Sequence, residues 1–178
     1  MSTSLCSTAA ARYAQLPGRD LTRPELVDLT AAIASTPSEW GEHVAFDDEQ
    51  RHYHCLHRDS HVDVWVLCWT PRNDTGWHDH DTSSGSVAVV QGRLVEQVLT
   101  VGAAAVAREA TAGDVYSFGP DHIHRLTGVD EGTVSIHAYS PPLCRMGQYT
   151  VGTDGTLHRT SLSYAEELRS VRDAAIPA

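Results

Sequence analysis

From residue 62 to residue 140 the sequence keeps breaking into runs too short for helices. "VDVWVLCW" (62–69), "GSVAVVQGRLVEQVLTV" (85–101), "GDVYSFG" (113–119), "IHRLTGV" (123–129) and "TVSIHAYS" (133–140) are β-branched or aromatic, and often alternate apolar with polar. Gly, Pro, Asp and Asn separate them. Short alternating runs bounded by turn residues are strands, and a series of them predicts an all-β barrel or jelly roll. Upstream, "TRPELVDLTAAIAS" (22–35) reads as a helix: Thr22 caps it, Pro24 suits its first turn, and Glu25 follows three after the cap. Leu26, Leu29 and Ile33 form its apolar stripe. A shorter helix, "STAAARYAQ", precedes it, and the Ser-x-x-Glu start at Ser163 predicts a short C-terminal helix. The expectation is one domain over residues 1–178, helical to about residue 40 and barrel from about 41 to 160.

Composition removes several functions. A formal net charge of −10 argues against nucleic acid or an anionic membrane as partner. No apolar run approaches the ~18 residues of a membrane span, and the start of the chain shows no secretory pattern, so a cytoplasmic location is expected. The four cysteines, Cys6, Cys55, Cys68 and Cys144, are scattered without C-x-x-C spacing and read as free thiols. The unusual count is eleven histidines against thirteen Lys plus Arg.

Two of those histidines lie in "TGWHDHDTSSGS" (75–86). Side chains at i and i+2 of a strand share a face, so His78 and His80 can chelate one ion. A lone H-x-H is also what a charged surface turn looks like. Gly92 follows the pair, and Gly113 precedes His124 by eleven residues. This arrangement resembles the two motifs of the cupin superfamily, G-x5-H-x-H-x3,4-E-x6-G and G-x5-P-x-G-x2-H-x3-N. His78, His80 and Gly92 match the first, and Gly113 and His124 match the second. Gly85 stands where the motif has its glutamate, and Gly119 and Asp121 replace the second motif's Pro and Gly. His122 is close by, but the spacing favours His124.

Three imidazoles without a carboxylate leave an ion's full double positive charge. Zinc, iron, nickel and copper all accept imidazole. A three-His zinc site would imply hydrolysis or hydration, whereas a three-His iron site leaves room for an anionic ligand such as a thiolate, and for dioxygen. The strand "TVSIHAYSPP" narrows this. It sets Ser135, His137 and Tyr139 on one face, with Val134, Ile136 and Ala138 on the other. The polar face reads as a relay that aims the Tyr139 phenol at bound ligand, or else as a satisfied polar network that steadies the barrel.

"SIHAYSPP", with "LCW" nine residues before His78 and the following "HDH", resembles the cysteine dioxygenase family over roughly residues 40 to 150. The resemblance implies Fe(II) held by His78, His80 and His124, dioxygen as co-substrate, and cysteine as the substrate converted to its sulfinate. It also implies a relay of Ser135, His137 and Tyr139, with Pro141 shaping the site. The chain departs from the family twice. Animal members carry a cysteine, crosslinked to the tyrosine, where this chain has Gly85, as bacterial members do. The family's carboxylate-binding arginine, two residues after an aromatic, maps to Cys55 after Tyr53, with Arg51 and Arg58 on either side. Either the register slips there, or the carboxylate is held otherwise, or the substrate differs. Tyr53, Cys55 and Trp77 are the expected substrate contacts. Asp81 also stands where bacterial members commonly have Gly; it could bind a substrate amine, hydrogen-bond a ligand histidine, or be solvated.

Three functions follow. The first is a thiol dioxygenase acting on L-cysteine or a close analogue. The second is a divergent cysteine-oxidising cupin, on iron or nickel, giving a decarboxylated or rearranged product such as a sulfonamide. The third is a non-oxygenase: a three-His zinc enzyme or a small-molecule-binding cupin. The partner expected is a small-molecule thiol, and the assembly a monomer or small homo-oligomer.

Overall fold

The computed structural model describes residues 6–100, 102–152 and 156–163. Two helices, α1 (Cys6–Ala14) and α2 (Arg23–Ala34), precede the strands. The capping signal at Thr22 is realised: its backbone N–H and hydroxyl both donate to Glu25 Oε2, at 2.7 and 2.8 Å. Leu26, Leu29 and Ile33 are buried as one stripe.

The strands are β1 (His52–Arg58), β2 (Asp63–Trp69), β3 (Trp77–Asp79), β4 (Ser84–Gln91), β5 (Arg93–Val98), β6 (Val106–Thr111), β7 (Val115–Phe118), β8 (His124–Gly128), β9 (Thr133–Ser140), β10 (Arg145–Val151) and β11 (Leu157–Ser163). They form two antiparallel sheets, ordered β1-β2-β9-β4-β7 and β11-β10-β3-β8-β5-β6. The long apolar run 85–101 is broken at Gly92, whose φ of +69° is one that L side chains rarely adopt, so it turns between β4 and β5. The short C-terminal helix expected from Ser163 falls on residues 164–178, which lie outside the described residues. Cys55, Cys68 and Cys144 are free thiols. No helix among the described residues is long and apolar enough to cross a membrane.

Strand alternation splits the interior into two cores. Val64, Val66, Val134, Ile136 and Ala138 pack against Leu26, Leu29 and Ile33 of α2. Trp65, Leu67, Trp69, Val87 and Tyr139 face inward and meet Leu94, Leu126 and Met146 of the opposite sheet. The inward faces of β2 and β9 are therefore the place where polar side chains can be sequestered.

β3 has three residues and needs outside support. Asp79 supplies it from the face opposite His78. Its carboxylate accepts from Tyr149 Oη (2.6 Å), Arg159 Nε (2.7 Å), and the backbone N–H of Gly147 (3.0 Å) and Asp81 (2.9 Å). Burial raises the Asp79 pKa, but the Arg159 and Tyr149 hydrogen bonds outweigh it and hold it at about 2. One carboxylate thus ties β3 to β10 and β11. Replacing Asp79 by Ala leaves Arg159 and Tyr149 without their acceptor. The expected cost, with Arg159 partly solvated, is about 1–2 kcal/mol of unfolding free energy in a urea titration; a loss below about 0.5 kcal/mol would contradict this role.

Candidate active site

His78 pairs with His124 across β3 and β8, and His80 follows β3 by one residue. All three side chains are buried, and their ring nitrogens lie within 4.8 Å of one another. Their tautomers follow from their partners. Gly76 O and the Glu96 carboxylate can only accept, so His78 Nδ1–H donates to the first (3.1 Å) and His124 Nδ1–H to the second (2.7 Å). Burial lowers the pKa of all three rings and keeps them neutral. His78 Nε2 and His124 Nε2 therefore present lone pairs to each other at 3.1 Å. Both nitrogens of the fully buried His80 lack a hydrogen-bond partner among the described residues. Buried lone pairs that repel, beside an unsatisfied imidazole, are costly unless a cation lies among them. Three neutral imidazoles fit a divalent transition ion.

The polar strand is assembled as its alternation predicts. Trp69 Nε1–H donates to Ser135 Oγ (2.8 Å). The Ser135 hydroxyl proton has His137 Nε2 as its acceptor, at 2.9 Å. Burial pushes the His137 pKa down to about 3, so this ring too is neutral and carries its proton on Nδ1. That proton goes to Tyr139 Oη, 3.0 Å away. With its oxygen accepting from His137, the phenol is a proton donor.

One cavity joins these groups. His78, His137, Tyr139 and Arg51 line it, with apolar walls that include Trp65, Leu67, Trp69, Leu126, Leu143 and Met146. Arg51 is buried, and its guanidinium carbon lies 4.7 Å from the centre of the Trp69 ring. Tyr53, Cys55 and Trp77 are not among the residues that line this cavity. Tyr53 and Cys55 pair with Leu67 and Trp65, and the Cys55 thiol donates to His57 O at 3.4 Å. Arg51, two residues before Tyr53, shares their face and reaches over Trp69, so the guanidinium enters from before the aromatic instead of after it. Trp77 precedes His78 on β3 and so faces away from it. Arg58 instead donates to Asp63 (3.2 Å) and to Leu143 O (2.8 Å).

Asp81 has a φ of +53°, a conformation that favours glycine, and its half-exposed carboxylate lies 3.4 Å from Arg159. It is a turn residue, and its acid is spent on the surface.

Glu96 was not singled out by sequence reasoning, although alternation with buried Leu94 puts it on the inward face of β5. Its carboxylate accepts from His124, from His122 Nε2 (3.0 Å) and from Arg108 Nε (2.5 Å). Burial raises the Glu96 pKa, but hydrogen bonds from His122 and His124 carry it far below the usual carboxylate range. His122 thus supports Glu96, and the nitrogen that faces the cluster belongs to His124. Glu96→Gln cannot accept from all three donors. It is expected to weaken binding of a divalent transition metal by about 10- to 100-fold in a competition titration with a chromophoric chelator; unchanged affinity would contradict the role.

Comparison with known proteins shows the family. The family model described as cysteine dioxygenase type I matches residues 3–151. The human protein named cysteine dioxygenase type 1 is 25% identical over 139 residues, covering 70% of this chain and 68% of the relative. Its namesake from Danio rerio is 25% identical over 150 residues, covering 76% of this chain and 75% of the relative. A solved structure from Klebsiella pneumoniae, an uncharacterized conserved protein with a double-stranded β-helix domain, superposes with a TM-score of 0.50 at 14% identity. It covers 67% of this chain and 92% of its own, which is a likeness of fold alone. The matched stretch runs from α1 through β10 and includes every residue that lines the cavity, and the chain belongs to the cysteine dioxygenase type I family.

Proposed function

We propose that the chain adds both atoms of dioxygen to the sulfur of L-cysteine or a close thiol carboxylate, giving a sulfinic acid. The observation that carries this reading is a cavity lined at once by the buried Arg51 guanidinium, the Tyr139 phenol and His78, one of the three clustered imidazoles. Both oxygen atoms end on sulfur, so RSH and O2 balance RSO2H with no other reductant. Divalent iron held by His78, His80 and His124, or alternatively nickel, would supply the redox chemistry that joins dioxygen to a thiolate.

The chain's own residues account for the rest. Arg51 supplies a planar fork that suits a carboxylate, and Trp69 beneath it restricts the fork's position. The described residues that line the cavity include Arg51 and no Asp or Glu, a lining that suits an anionic substrate. Leu126, Leu143 and Met146 contribute apolar wall that excludes water from the reacting sulfur. Tyr139, positioned through Ser135 and His137, donates a proton toward the bound molecule. The reading that favoured a decarboxylated or rearranged product rested on a missing guanidinium, and Arg51 takes away that reason. The Ser135–His137–Tyr139 chain speaks against a simple zinc or sugar-binding cupin.

The test is oxygen uptake by iron- and nickel-loaded protein with L-cysteine, its analogue without the amine, and its analogue without the carboxylate, with products identified by mass spectrometry. Uptake with the two carboxylates and a product that gains both oxygen atoms is expected. Loss of carbon dioxide or a sulfur–nitrogen bond would support the rearranging reading, and no thiol-dependent uptake would support the non-oxygenase. Arg51→Ala should lower kcat/KM for the carboxylate thiol by about 100-fold or more. Tyr139→Phe should lower kcat by about 100-fold.

A further inference from the structure

His80 is held differently from the other two histidines of the cluster. His78 is oriented by Gly76 O and His124 by Glu96, but neither nitrogen of His80 meets a hydrogen-bond partner among the described residues. Its ring plane is set by packing. The Phe118 ring stacks on it at 4.7 Å and 30°, and the Tyr139 ring at 5.1 Å and 29°.

Register explains how two rings reach one histidine. β7, β4 and β9 are neighbours, and Gly85 of β4 is directly opposite Phe118 on one side and Tyr139 on the other. The three residues form one row, and only the middle one has no side chain. Phe118 leans into that gap: a Cβ added at Gly85 would overlap the Phe118 ring. The absent side chain therefore makes room for an aromatic face against His80.

We propose that Phe118, seated over Gly85, is the positioning residue for His80, and that the pair sets the third imidazole of the metal site by stacking, where the other two are set by hydrogen bonds. This rests on the three-histidine reading given above. It assigns Gly85 a function of its own: the position has to be empty here because Phe118 occupies it. The Tyr139 ring that ends the Ser135–His137 chain also packs on His80, and its centroid is 6.4 Å from that of Phe118, so the two rings meet the imidazole from neighbouring sides.

The test uses cobalt(II) as probe, with affinity read by chelator competition and coordination by the visible absorption of the bound ion. Phe118→Leu removes the flat face, and Gly85→Ala keeps the ring but displaces it from its seat. Each is expected to weaken cobalt binding about tenfold or more and to shift the cobalt spectrum toward that of His80→Ala. Because both act through one contact, Gly85→Ala/Phe118→Leu should be no worse than Phe118→Leu alone. Melting of the metal-free proteins reports the fold separately. Lowered melting temperatures with an unchanged cobalt spectrum, or effects that add in the double variant, would overturn the role of Phe118. A wild-type chain that binds no cobalt would overturn the metal site and this role with it.

Discussion

Three neutral imidazoles, packed inside the barrel with their nitrogens toward one point, are what the rest of the architecture has to support. Left to themselves, the facing nitrogens of His78 and His124 at 3.1 Å repel, and buried His80 has no hydrogen-bond partner among the described residues. The protein holds this arrangement from outside. Gly76 and Glu96 take the outer protons of two rings, aromatic faces hold the third, and the Asp79 carboxylate braces the three-residue strand behind His78. Such convergence of neutral donors suits a divalent transition ion.

Charge is apportioned with the same economy. Among the described residues no carboxylate joins the three imidazoles, and the Glu96 acid lies behind His124, where His122 and Arg108 also bind it. A dication in the site would keep its charge for an incoming thiolate. Arg51 offers the second positive centre of the cavity, and β1 parity places it over Trp69. On the proposed reading, a dication and Arg51 would together suit a small molecule with two anionic groups.

What the sequence made legible were features whose cause is local or periodic. The α2 cap at Thr22 and Glu25 is a four-residue signal. The alternation in "TVSIHAYS" delivered Ser135, His137 and Tyr139 to one face and Ile136 to the other, because strand period is strict. The H-x-H pair and His124 were legible through motif spacing. Arg51 was not, because counting from Tyr53 pointed to Cys55, and only the pairing of β1 on β2 reveals which end of the strand overhangs the cavity. Glu96 was open to discovery as an acid facing inward beside Leu94, yet a single acid in a strand has no motif to flag it. The short strand β3 and the largely exposed β6 lack an alternating pattern, since their burial is decided by neighbours distant in sequence. Asp81 drew notice for its acid, whereas its backbone φ of +53° is what the position is about.

The central claim is that these imidazoles converge on one metal ion beside the cavity. X-ray absorption spectroscopy of the iron-loaded protein tests it most directly. The account predicts a stoichiometric ion with scattering from three imidazole rings and no sulfur, and one sulfur neighbour on addition of L-cysteine. Fewer than three imidazoles, or a first coordination shell that cysteine leaves unchanged, would contradict it.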